Sequence, residues 1–298
     1  MTLNHEEILH RLRLAGIAVD RARLKVEGRE GRILVHLDAD RVAWFPKHPA
    51  GRVAMVNERR ILRLIEKYCR FRAPRILYEN AEGWDVRAMV PGVAAIDFLK
   101  QVGTDPRGAA RTGAALGRIL AEQHTCIPAS ALGWLARVAA WPQSAAVENL
   151  SRVIEDARLL ARIGRALEHR EKIALSVADA VLVHGDLGAW NIAVSSDGGE
   201  VQGVFDYGDA VFGDRHQDFK YMQFYGSEDQ IMLEAAIQSY EGETKIVLDR
   251  ERIRFFNAIE AIGFLGFRFG HAADESWCGR TLEQDVEWTT TGLEEAGF

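Results

Sequence analysis

Apolar positions repeat with two different periods along this chain, and the changeover falls near residue 92 of 298. Residues 4–15 carry Ile8, Leu12 and Leu14 among charges and predict a helix. Three short runs follow at residues 23–28, 32–37 and 41–45, separated by the turn clusters Gly28-Arg29-Glu30-Gly31 and Asp38-Ala39-Asp40. Their β-branched and aromatic content predicts strands. A helix is predicted over residues 54–68 and strands over 76–78 and 85–90. Past Gly92 the period becomes helical, over residues 108–124, 145–167, 227–240, 249–267 and 281–296. The expected fold class is α+β in two lobes, a small sheet-rich one over residues 1–91 and a larger helical one over 92–298.

One hairpin interrupts the helical half. Ile192-Ala193-Val194 is a short apolar strand, Ser195-Ser196-Asp197-Gly198-Gly199 a turn, and residues 201–205 a returning strand. A hairpin brings its open ends together, so Asn191 and Asp206 should sit on neighbouring strands, roughly 5 Å apart at Cα. That suits two ligands of one metal ion. Just upstream lies Asp186. Phosphoryl transfer to a hydroxyl needs a carboxylate to orient the attacking oxygen and oxygen ligands for the Mg²⁺ on the nucleotide phosphates. Asp186 is the candidate for the first task, Asn191 and Asp206 for the second.

Taken together, His184-Gly185-Asp186-Leu187-Gly188-Ala189-Trp190-Asn191 and Val204-Phe205-Asp206-Tyr207-Gly208-Asp209 resemble the motifs of the aminoglycoside phosphotransferase and choline kinase-like family. That family has a protein-kinase-like fold. The resemblance runs from the first strands to near the C-terminus and is specific in these two motifs. It implies a small-molecule phosphotransferase that moves the γ-phosphoryl group of ATP or GTP to a hydroxyl. Asp186 is then the catalytic base and Asn191 and Asp206 the Mg²⁺ ligands. His184 braces the loop, Asp218 helps to hold it, and Asp209 lends structural support. The family usually has Pro where Arg215 stands.

Within the first lobe, Glu58 shares the helix stripe of Ile61, Leu62 and Ile65, so an inward carboxylate needs a partner. In the kinase-like fold the partner is a Lys on the third strand, which also grips the nucleotide phosphates. Here Trp44 occupies the usual basic position. Lys47 has the opposite parity and reaches inward only if Pro46 breaks the pleat; Lys25 is the other candidate. The resemblance places the adenine-binding hinge at Met89-Val90-Pro91-Gly92, giving Lys47, Glu58, Met89 and Val90 as nucleotide-binding residues. An alternative of another class is a nucleotide-binding regulatory module that has lost transfer through Trp44.

On the acceptor side, Ser227, Glu228 and Asp229 open a predicted helix, where a cap and the helix dipole explain them and a substrate role also fits. Glu287-Trp288-Thr289-Thr290-Thr291-Gly292-Leu293 resembles the ending of the aminoglycoside 2″-phosphotransferase branch, which implies that Glu287 and Trp288 line an amino-sugar pocket.

Composition narrows the partners. The formal net charge is −6, yet Lys and Arg outnumber Asp and Glu up to Pro91. The excess acid therefore lies in the second lobe, which suits a cationic small molecule. No concentrated basic patch with interleaved aromatics marks a nucleic-acid surface. The N-terminus shows no signal-peptide pattern, and the apolar stretch at 255–269 is broken by Glu260 and Arg268. Cys69, Cys126 and Cys278 lack metal-ligand spacing and predict reduced thiols in a cytoplasmic protein with no membrane partner.

Overall fold

A computed structural model describes residues 4–19, 24–29, 31–95, 105–137, 144–196, 200–223, 229–269 and 280–298. Helix α1 (His5–Leu14) begins at Asn4, whose side chain accepts the Glu7 N–H. It buries Ile8 and Leu12, each worth about 2 kcal/mol by removal of apolar surface from water. Strands β1 (Lys25–Arg29), β2 (Arg32–His36), β3 (Arg41–Pro46), β4 (Arg75–Glu79) and β5 (Asp85–Ala88) form an antiparallel sheet in the order β1-β2-β3-β5-β4.

Register decides what each face of that sheet does. Leu34 lies opposite Trp44, Trp44 opposite Asp85, and Val42 opposite Arg87. Alternation then sends Ile33, Val35, Ala43, Phe45 and Val86 to one face, where they pack with Ile8 and Leu12 of α1. Arg32, Trp44 and Arg87 share the other face. Across it runs α2 (Pro49–Tyr68).

Helix α2 starts five residues before the predicted 54, because His48 Nδ1 accepts the Gly51 N–H and Pro49 needs no donor at the first helical position. An imidazole cap and an early glycine hid that first turn. Its C-terminal half joins the second region: Ile61, Leu62 and Ile65 enter the large core that also contains Leu116, Leu120, Leu187, Ile192, Phe219 and Ile237.

Gly92 carries the crossing between the two regions. Its φ is +110°, and a Cβ there would lie 2.2 Å from the Val194 carbonyl oxygen. That close approach lets β6 (Val93–Ala94) pair with β8 (Ile192–Val194), which pairs in turn with β9 (Val201–Val204). The expected hairpin is present, although residues 197–199 of its turn lie outside the described residues.

Helices α3 (Pro106–Cys126), α4 (Ser144–Val153), α5 (Ala157–Lys172), α6 (Asp229–Thr244), α7 (Arg250–Phe267) and α8 (Leu282–Glu295) make up the helical region. The single helix expected over 145–167 is two, α4 and α5. Asp156 caps the second by accepting the Arg158 and Leu159 N–H groups, and such a cap requires non-helical backbone. A second sheet also interrupts the helices: β7 (Ala180–Val183) pairs antiparallel with β10 (Val211–Asp214). Four-residue apolar runs carry too little periodicity to be distinguished from helix in the sequence. Among the described residues no helix is long and apolar enough to cross a membrane. Glu260 in α7 and Arg268 just past its end are instead buried with partners, Lys220 and Asp285.

Candidate active site

Strand β7 ends at Val183 and delivers the loop that carries Asp186. Asp218, itself fully buried, receives that loop: Oδ2 accepts the His184 N–H (2.9 Å) and Oδ1 the Gly185 N–H (3.0 Å). His124 Nε2 lies 3.0 Å from Asp218 Oδ2, and Tyr240 Oη lies 3.2 Å from His124 Nδ1. Burial alone would raise the Asp218 pKa. The hydrogen bond from His124 and the neighbouring His124 and His184 rings hold it below the ordinary carboxylate value. His124 is itself pushed down, by burial above all, so it is neutral and donates through Nε2.

His184 fixes its tautomer by its contacts. Nδ1 accepts the Asp186 N–H (3.3 Å), so the proton sits on Nε2, which donates to the Phe205 carbonyl oxygen (3.0 Å). The ring thereby ties the Asp186 loop to the strand that leads into Asp206. Gly185 between them has φ +86°, and a Cβ would lie 2.5 Å from the Asp209 carbonyl oxygen. Gly185→Ala is expected to cost about 1–3 kcal/mol of stability through that forbidden geometry and to displace Asp186. A wild-type melting temperature and turnover for this variant would contradict the account.

Asp186 is held at several atoms. Trp190 Nε1 donates to Oδ2 (2.9 Å), and Asn191 Nδ2 donates to both Oδ2 (2.8 Å) and the backbone oxygen (2.7 Å). Burial raises its pKa, opposed by the Trp190 bond and by the neighbouring His184 ring and Lys220 ammonium. With its amide nitrogen spent on Asp186, Asn191 has its Oδ1 as the end left for a cation. Phe205 N–H bonds the Asn191 carbonyl (3.0 Å), which sets Asp206 one residue beyond Asn191's partner at the hairpin's open end.

Asp206 itself leaves β9 in the left-handed region, φ +64° and ψ +73°, a conformation uncommon for any residue but Gly. Its side chain is 42 % exposed. Surrounding protein, then the Asp186 and Asp206 charges, push the Asp209 pKa up. The Asp206 carboxylate and the Asn191 amide oxygen are the hard donors that suit a divalent cation here. Among the described residues no group of three or more His, Cys, Asp and Glu forms a metal cage.

Across the cleft, Glu58 does find cations, but not the one expected. Its Oε2 accepts from Arg32 (2.8 Å) and its Oε1 pairs with Arg87 (2.9 Å). Lys47 follows the end of β3, and its Nζ donates to the Arg29 carbonyl oxygen (2.6 Å). Lys25 pairs with Glu27 and is exposed. The guanidinium carbons of Arg32 and Arg87 sit 4.4 and 5.5 Å from the centre of the Trp44 ring, which stands where the basic residue was expected. Arg32 also reaches Asp206 Oδ1 (2.8 Å) and so links the sheet to the end of the hairpin.

Residues 21–256 match the family model described as APH, the phosphotransferase enzyme family. The chain belongs to that family. It is a phosphotransferase acting on a hydroxyl acceptor, and its fold is protein-kinase-like. Among solved structures, APH(2″)-IIia in complex with GDP and kanamycin shares 17% identity over 97% of this chain and 96% of that one, with a TM-score of 0.66. ADP-bound APH(2″)-Ib shares 16% over 99% and 100%, at 0.65. The macrolide 2′-phosphotransferase MphH from Brachybacterium faecium shares 18% over 97% and 98%, at 0.64. At these identities the likeness establishes the fold. A search of curated proteins found no match.

Other expected positions of this phosphotransferase fare unevenly. The Met89 N–H donates to the Asp40 carbonyl oxygen (2.7 Å), so that donor is committed within the protein; Val90 is buried. Trp288 is 8 % exposed, donates to Asn257 Oδ1 (3.0 Å) and packs edge-on against Phe264. It is part of the wall behind Trp190 rather than an open platform. Glu287 lies on the solvent face of α8. Glu228 falls outside the described residues, as does the side chain of Asp229 at the start of α6.

Several functional neighbours were missed in the sequence. Tyr221 meets Trp190 edge-on at 5.3 Å and donates to Glu260 Oε1 (2.6 Å), while Lys220 bridges Glu260 Oε2 and the Gly185 carbonyl (2.8 Å each). The only sequence signal for this group was Glu260 interrupting an apolar helix.

Proposed function

We propose that this phosphotransferase moves the γ-phosphoryl group of ATP or GTP to a hydroxyl of a small molecule, with Asp186 as the catalytic base. The observation that carries this reading is the Asp186 carboxylate, fixed by Trp190 and Asn191, one hairpin away from Asp206. Asp186 would accept the hydroxyl proton as the acceptor oxygen attacks, and its raised pKa favours that role. Asn191 Oδ1 and Asp206 would hold Mg²⁺, which when bound supplies positive charge to the phosphate oxygens. His184 and Asp218 keep the loop in place. Residues 1–91 form the nucleotide lobe in this reading, and residues 92–298 the catalytic and acceptor lobe.

The acid excess of the second lobe and the kanamycin complex of a matched structure support a cationic, polyhydroxylated acceptor such as an aminoglycoside. The cytoplasm, where nucleoside triphosphates are held, is the site of action this implies. The test is Mg²⁺-dependent turnover of ATP and GTP over a panel of amino sugars, macrolides and polyols, with products weighed by mass spectrometry. A product heavier by one phosphoryl group is expected. Nucleotide binding without any phosphorylated product would favour the regulatory-module alternative.

A further inference from the structure

The face of the sheet that looks onto the cleft carries a string of alternating charges. Arg59 pairs with Asp85 (3.2 Å), Asp85 with Arg87 (2.7 Å), Arg87 with Glu58 (2.9 Å), Glu58 with Arg32 (2.8 Å) and Arg32 with Asp206 (2.8 Å). The four inner members are buried, with side chains at most 3 % exposed, and comprise two cations and two anions, so they neutralise one another. The outer pair differs. Arg32 is 17 % exposed and Asp206 42 % exposed, so this pair, unlike the four others, is open to solvent.

Asp206 cannot serve two cations equally. A divalent ion that draws its carboxylate leaves Arg32 as a guanidinium with Glu58 shared between it and Arg87. Such a group, half desolvated and rich in N–H donors, seeks an anion. Trp44 stacks beneath it and fixes its plane, so the side chain is already ordered before any ligand arrives. The other basic groups nearby are turned elsewhere: Lys47 to the Arg29 carbonyl, Lys25 to Glu27, and Arg87 to the buried pair Asp85 and Glu58.

We infer that Arg32, from the second strand, is the cation that binds the nucleotide's phosphates in this protein, exchanging Asp206 for a phosphate oxygen when Mg²⁺ and nucleotide are bound. This rests on the phosphotransfer reading above. Trp44 is then the shelf that positions the binding cation, and its presence does not mark a lost site. Glu58 anchors Arg32 from behind, and Arg87 keeps Glu58 satisfied whether or not Arg32 moves.

The test is calorimetric binding of Mg·ATP, Mg·GTP, adenosine and guanosine to the full chain, with melting temperatures, for the wild type, Arg32→Met, Arg32→Lys and Lys47→Met. Arg32→Met is expected to weaken the triphosphate by about 10- to 100-fold, the size of a lost charge-assisted hydrogen bond. Nucleoside binding should not change, and Arg32→Lys should recover part of the loss. Unaltered triphosphate binding by Arg32→Met would overturn the inference while leaving the phosphotransfer reading standing. So would equal losses for triphosphate and nucleoside, or a triphosphate-selective loss in Lys47→Met instead. A wild-type chain that binds no nucleotide would defeat both.

Discussion

Asp186→Asn should lower kcat by about 10³-fold, within the range general-base groups contribute, and leave the melting temperature close to that of the wild type. The carboxylate and the carboxamide have the same shape, and Trp190 Nε1 can still donate to the Asn oxygen. What disappears is the proton acceptor and the negative charge. Because burial raises the Asp186 pKa, the wild-type enzyme should also lose kcat on the acid side at a pH above the ordinary carboxylate range. The Asn variant should lack that acid limb. A variant with undiminished kcat, or one whose residual rate keeps the same acid limb, would remove Asp186 from the chemistry. Trp190 gives a second control, since its bond to Oδ2 orients the base and opposes the upward shift.

The Asp186 end of the candidate site was legible because it is local in sequence. His184, Asp186 and Asn191 fall within eight residues, and a short hairpin brings Asp206 back beside them. The opposite wall was not legible in the same way. Arg32 meets Glu58 across 26 residues and Asp206 across 174. Those meetings require both the sheet register and the placement of α2. Lys47 was the expected phosphate-binding cation, and its Nζ instead bonds the Arg29 carbonyl oxygen. Strand parity, applied across the β2–β3 hairpin, puts Arg32 on the face of Trp44, and that signal was available. The helix break at Asp156 and the start of α2 at Pro49 turned on capping side chains, whose contacts a periodic pattern does not report. Trp288 carried a motif resemblance, yet its indole is enclosed by Asn257 and Phe264.

Removing Asp218 tests how the loop is held, with stability as the main readout. Asp218→Ala would leave the His184 and Gly185 N–H groups and the His124 Nε2–H without their acceptor in a dry core. Stranding buried donors and removing a hydrogen-bonded buried charge costs about 3–5 kcal/mol. The expected result is a markedly lower melting temperature at neutral pH, with turnover reduced in whatever fraction stays folded. The pH dependence gives the sign. The folded Asp218 pKa lies below its unfolded value, so its contribution is fully present above the unfolded carboxylate pKa, about 4. It is lost as pH falls through the depressed folded value. The stability gap between wild type and Asp218→Ala should therefore be constant near neutrality and narrow only in acid. A gap that narrowed instead between pH 6 and 8, on the order of the histidine range, would mean that protonated His124 carries the interaction. That outcome would exclude the neutral imidazole that burial and the bonds to Asp218 and Tyr240 favour.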